Sequence, residues 1–210
     1  MYTTQLQAGL GLIPETRLLL SLWKPGMSSP ALYQAALKSG EFPNVSARRL
    51  RNIVRECFAP RYLVADGRPA QYLKQLAAVL APAELNQLFF LYTCRANQIL
   101  ADFVREVFWD RYAAGDHRVT TEETRAFIRR AVDDGKTAKR WSDSTVKRVT
   151  SYLLGCCTDY GLLGKRTLSA RAIVPYRIEG KAAAYLAHDL HFAGLGDNAV
   201  IAHPDWQLFG

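Results

Sequence analysis

Trp141-Ser142-Asp143-Ser144-Thr145-Val146-Lys147-Arg148-Val149-Thr150-Ser151-Tyr152-Leu153-Leu154-Gly155-Cys156-Cys157-Thr158-Asp159-Tyr160-Gly161-Leu162-Leu163 places apolar residues at 146, 149, 153, 156 and 160. Steps of three and four keep them on one face of a helix. Ser142 or Asp143 can accept a hydrogen bond from the first free backbone N–H groups, and Gly161 suits a left-handed terminator after Tyr160. The opposite face carries Thr145, Lys147, Arg148 and Ser151 within its first two turns, where the recognition helix of a helix-turn-helix meets the major groove. Downstream, 162–178 holds two short apolar segments around a basic centre with Lys165, Arg166 and Arg171. This reads as a β-hairpin wing. A helix on a hairpin with a merely solvated face would use the same residues. Nucleic-acid contact is favoured because cap, basic face and basic hairpin coincide.

The same order recurs near the N-terminus. Pro14, Glu15 and the run 16–23 read as a short helix closed by Lys24-Pro25-Gly26. Ser28 or Ser29 caps a second, which Ser39-Gly40 closes. Ser46 then caps a third, running from Ala47 to Tyr62, with Leu50, Ile53, Val54 and Cys57 as its buried stripe. Arg48, Arg51, Asn52 and Arg55 fall on the other side. Arginines at this spacing also serve ordinary exposed helices. Asn52 tips the reading toward DNA, since its amide matches the edge of adenine. The two units share a pattern and not a repeated sequence.

Helices are expected over 71–80 and from Pro82 to about Tyr112. The latter is apolar on more than one face, from Leu85 to Phe108, which marks a buried core and spacer. Ala113-Ala114-Gly115-Asp116 reads as a linker, and Thr120 or Thr121 caps a helix over 122–132. Lys136, Lys139 and Arg140 lead into the helix that begins near Ser142, where a phosphate would sit. The first eleven residues read as a polar arm with a turn at Gly9-Leu10-Gly11. The tail is expected to pack back on the core through Trp206 and Phe209. The expected fold is mainly α, with two helix-turn-helix-like units on a helical core and a hairpin wing on the second. Its parts are an N-terminal unit (1–68), a central core (69–116), a winged unit (117–180) and a C-terminal segment (181–210).

Lys and Arg outnumber Asp and Glu 27 to 19, a net charge of +8. The excess is concentrated at +5 over 43–74 and +7 over 117–181. Two basic blocks on a near-neutral frame favour a polyanionic partner. Cys57, Cys94, Cys156 and Cys157 form no C-x-x-C pair and read as reduced, buried residues of a cytoplasmic protein. No apolar run approaches the length of a membrane span, so no membrane partner is expected.

Chemistry finds little support in the pattern. His188 and His191 are spaced to chelate on a helix, with Asp189 and His203 in reserve, but ligands this sparse do not define a metal site. There is no phosphate-binding G-x-x-x-x-G-K-[ST], no G-x-S-x-G, and no base assignable to Cys57. The expectation is a non-enzyme without cofactor or metal.

Gly9-Leu10-Gly11-Leu12-Ile13-Pro14-Glu15-Thr16 with 18–23, Asn44-Val45-Ser46-Ala47-Arg48-Arg49-Leu50, Leu88-Phe89-Phe90-Leu91-Tyr92, and Ser144-Thr145-Val146 through Gly161-Leu162-Leu163 together resemble the A component (BrxA-like) of BREX bacteriophage-exclusion systems, over nearly the whole chain. The resemblance implies a small cytosolic bacterial protein, encoded with a DNA methyltransferase, an ATPase and other factors, that helps a cell mark its own DNA and exclude phage. Members of the family have been labelled putative inner-membrane proteins, a label this sequence does not fit. The family brings no active-site residues to carry over. The reading favoured is therefore an accessory protein binding double-stranded DNA mainly through phosphates. The alternative is an adaptor that uses its winged unit to assemble other BREX subunits, including the methyltransferase.

Overall fold

Three capped helices follow an N-terminal strap. α1 (Ile13–Leu22) carries Pro14 in its first turn and buries Thr16, Leu19 and Leu20. α2 (Ser29–Ser39) starts where Ser28 Oγ accepts from Ala31 N at 3.4 Å and ends at Gly40, whose φ of 72° is a left-handed cap. α3 (Ala47–Asn52) is capped by Ser46 Oγ, which accepts from Arg49 N at 3.2 Å. A π-helical turn, Ile53–Phe58, then joins it to α4 (Ala59–Tyr62). Pro60 has no N–H and crowds the carbonyl four residues back, and a widened turn just before it absorbs that misfit. The computed structural model describes residues 1–8, 10–167 and 169–210. Gly9 in the expected N-terminal turn and Leu168 in the expected wing lie outside the described residues.

α5 (Arg68–Leu76) begins three residues earlier than expected, with Pro69 in its first turn. α6 (Pro82–Ala96) is buried at Leu88, Phe89, Phe90 and Leu91 in succession, so the core surrounds it. Asn97 breaks the helix, and α7 (Gln98–Phe103), a second π turn (Val104–Phe108) and α8 (Trp109–Ala113) continue it. One apolar core runs through all parts of the chain, from Leu6 to Phe209. Each fully buried leucine or phenylalanine contributes roughly 1.5–3 kcal/mol relative to exposure.

β1 (Arg118–Thr120) leads into α9 (Thr121–Asp133), which starts with a reciprocal cap. Glu123 N donates to Thr120 Oγ1 at 3.1 Å and Thr120 N to Glu123 Oε2 at 2.8 Å. α10 (Asp143–Asp159) packs against α9 and is followed by β2 (Leu163–Thr167) and β3 (Ala170–Ile173). The sheet is antiparallel in the order β1-β3-β2, so the hairpin is held by a strand from some fifty positions upstream, Arg118 opposite Ala172. α11 (Gly180–Phe192) and α12 (Asp197–Ile201) return to the core. Phe209 sits 5.8 Å from Phe90 and stacks on Tyr176, while Trp206 is only half-buried and Leu208 is fully enclosed.

The strap differs from the polar arm expected. Tyr2 and Leu6 are buried, Tyr2 N donates to Lys136 O at 2.6 Å, and Tyr2 Oη donates to Asp102 at 2.7 Å. Further along, Gly11 N donates to Asp159 Oδ2 at 2.9 Å, and Leu10 lies so close to Gly155 that a Cβ there would come within 2.7 Å of it. Buried Arg61 at the end of α4 donates to Leu10 O (3.0 Å) and Gly11 O (3.3 Å), and Tyr160 Oη donates to Gly11 O at 3.1 Å. The strap thereby ties α4 to α10. Among the described residues no helix is long and apolar enough to cross a membrane.

Candidate nucleic-acid interface

α10 forms as its sequence dictates. Ser142 Oγ accepts from Thr145 N at 3.3 Å, and Val146, Val149, Leu153, Cys156 and Tyr160 are all buried. Lys147, Arg148 and Ser151 face out, while Thr145 is half-buried. Arg148 Nη2 lies 3.5 Å from Thr145 Oγ1, and Ser151 Oγ donates back to Lys147 O at 3.2 Å. The cations therefore project from a face whose hydroxyls are partly engaged. Neither Lys147 nor Arg148 meets a carboxylate within ion-pair distance among the described residues.

On the hairpin, Lys165 and Arg166 are exposed on β2 next to a register irregularity between Leu163 and Arg166. Such irregularities re-aim side chains at a strand's edge. Arg171, directly across from Arg166, is placed differently. It is half-buried, and its Nη1 donates to Thr158 Oγ1 at 2.6 Å, while that hydroxyl donates to Gly164 O at 3.1 Å. Burial, and then the neighbouring Arg166, holds its guanidinium below the usual arginine value. Arg171 thus brackets the hairpin onto α10.

At the start of α10 the charges are mixed. Lys139 and Arg140 are exposed, Arg140 lying 3.7 Å from Asp133, while Lys136 turns to Glu106 at 3.6 Å and to the Tyr2 ring. Arg129, Asp133, Arg140, Trp141, Ser142 and Asp143 line a cleft of about 480 Å³ there. Of the three cations expected at this end, two remain outward, with Asp133 and Asp143 beside them.

In the first unit Arg48, Arg51, Asn52 and Arg55 are exposed opposite the buried Leu50, Ile53, Val54 and Cys57. The Arg51 guanidinium rests over the Tyr33 ring at 5.3 Å, and Arg55 Nε is 3.6 Å from Glu56. Arg61 has no counterpart in the sequence reading. Its position four beyond Cys57 continues the buried stripe, so a cation on the apolar face was the available signal.

Of the side chains considered for chemistry, the cysteines, Asp189 and His203 are otherwise engaged. Cys57, Cys94, Cys156 and Cys157 are buried, and burial pushes their thiols up, Cys156 to about 12. A nucleophilic cysteine needs the reverse shift. His188 and His191 are exposed on either side of the exposed Phe192 ring, and Asp189 pairs with Arg95 at 2.7 Å. His203 Nδ1 accepts from Asp205 N at 3.2 Å.

The structure is thus a mainly helical protein with a strand–helix–helix–hairpin unit and, separately, a capped α3, each carrying exposed arginines or lysines. A crystal structure of an uncharacterized protein from Magnetospirillum magneticum shares this fold at a TM-score of 0.71 and 16% identity, covering 91% of this chain and 94% of that one. No functionally curated protein matches the chain. The sequence model of the BrxA family matches residues 1–189. The chain belongs to the BrxA family, and is thus related to the A component of the BREX antiviral defence systems.

Proposed function

We propose that this protein is a non-enzymatic accessory factor of a BREX system that binds double-stranded DNA, largely through phosphates. The observation that carries the reading is the outer face of α10 and its hairpin. Lys147, Arg148 and Lys165 are exposed, have no carboxylate partner among the described residues, and stand on a capped, fully buried helix base. The order β1, α9, α10, β2, β3 with β3 central supports reading the unit as a winged helix, with α10 in a major groove and the hairpin along the backbone. Arginines and lysines dominate the surface, so affinity should depend on salt more than on sequence. Thiols buried and held protonated support a role without cysteine catalysis.

The test is an electrophoretic shift at low salt with two unrelated duplexes and the matching single strand. Both duplexes are expected to shift at similar concentrations. No shift, together with co-purification of another subunit after nuclease treatment, would replace this reading with that of an adaptor.

A further inference from the structure

A cleft of about 600 Å³ opens on another part of the molecule, between the α4–α5 connection on one wall and α11 on the other, with α6 as its floor. Three large apolar side chains stand exposed at its rim: Val64 (48%), Tyr72 (42%) and Phe192 (78%). Aromatic groups gathered around a cavity are typical of the centre of a protein interface. On the floor, Tyr92 and Tyr185 share a hydroxyl–hydroxyl hydrogen bond of 2.6 Å and so present their rings.

The charges around this cleft have one sign to spare. Arg95 spends Nε on Asp205 (2.8 Å) and Nη1 on Asp189 (2.7 Å), which neutralises the one carboxylate of the lining and uses up its own charge. Arg68 uses only Nε, toward Ala65 O at 3.4 Å, and meets no carboxylate among the described residues. An occupant must therefore bring apolar bulk for the space between Tyr72 and Phe192, and negative charge for Arg68, since Arg95 is already offset by Asp189 and Asp205. A nucleic-acid strand fits poorly, since its run of successive phosphates would have to cross a largely apolar wall. We propose that this cleft docks an acidic segment of a partner protein that carries a bulky apolar side chain next to an Asp or Glu. Neither Tyr72 nor Phe192 belongs to the proposed DNA surface, so this surface stands apart from that reading.

The test uses the full chain in cells carrying the rest of its defence system, with Tyr72→p-benzoylphenylalanine as a photo-crosslinker and the same replacement at Leu37, exposed on α2, as control. The captured peptide is sequenced, synthesised with a fluorophore and titrated against the purified protein. The expected result is one segment with a bulky apolar residue beside a carboxylate, whose affinity falls about tenfold or more in Phe192→Ala and in Arg68→Gln. Both side chains are exposed, so neither change should disturb folding. The duplex-DNA shift should be unchanged in Phe192→Ala, so failure of the DNA reading would leave this result intact. Crosslinking no stronger than at Leu37, or to a second copy of the chain, to nucleic acid, or to a segment without a carboxylate, would overturn the proposal.

Discussion

Replacing Lys147 and Arg148 together by alanine tests the DNA reading in a way that a loss of binding alone would not. Both are exposed on α10, alanine is the best helix former, and the capping Ser142 is untouched, so the fold should survive. The outer face of α10 and the hairpin offer four cations, Lys147, Arg148, Lys165 and Arg166, with Arg171 excluded because it is turned onto Thr158. If each neutralises one phosphate, the slope of log affinity against log salt is about −3.6, and about −1.8 once two are removed. A fourfold rise from 50 to 200 mM salt then weakens the unaltered protein by about 150-fold and the double variant by only about 12-fold. Fluorescence anisotropy with a labelled duplex across that range measures both slopes. A double variant whose slope stays within about 0.5 of the parent, or a parent slope shallower than about −1, would refute phosphate contact by this face.

Arg61→Met removes two hydrogen bonds from a buried cation to the strap and is expected to cost about 3 kcal/mol, lowering Tm by roughly 6–12 °C; an unchanged melt would show that the clamp contributes nothing. Ser142→Ala deletes the cap of α10 at a cost of about 1 kcal/mol, seen as a smaller shift of the same kind with the cationic face still in place. The folded protein holds its thiol protons, Cys156 to about 12, whereas the unfolded chain releases them near the ordinary value of 9.0. Stability should therefore fall as pH rises above about 9, by up to ~1.4 kcal/mol per pH unit for each such thiol, and urea midpoints at pH 8 and 10 would reveal it; equal midpoints would contradict the burial of these groups.

Much of the architecture was legible because it is written locally. Ser28, Ser46, Thr120 and Ser142 each announce a helix start that the backbone honours, and the 146–160 periodicity gives both the buried and the outward face of α10. The π turns were not legible, since widening a helix by one residue leaves the apolar spacing nearly intact. Nor was β1, three residues long, whose partner lies some fifty positions away. Arg171 reads like Lys165 and Arg166 in sequence; only the position of Thr158 on the neighbouring helix turns it inward. The strap escaped for the same reason, as its tyrosine and leucine look isolated until the surfaces that receive them are known.

That strap also constrains the order in which the protein is made. Gly11 and Asp159 are separated by 148 positions, and Tyr2 and Asp102 by 100, so the segment leaves the ribosome long before its partners exist. Contacts of such long sequence separation form slowly. Tyr2 must wait for Lys136, and Leu6 and Gly11 for α10, and the junction between the two basic units closes only when synthesis has passed Tyr160.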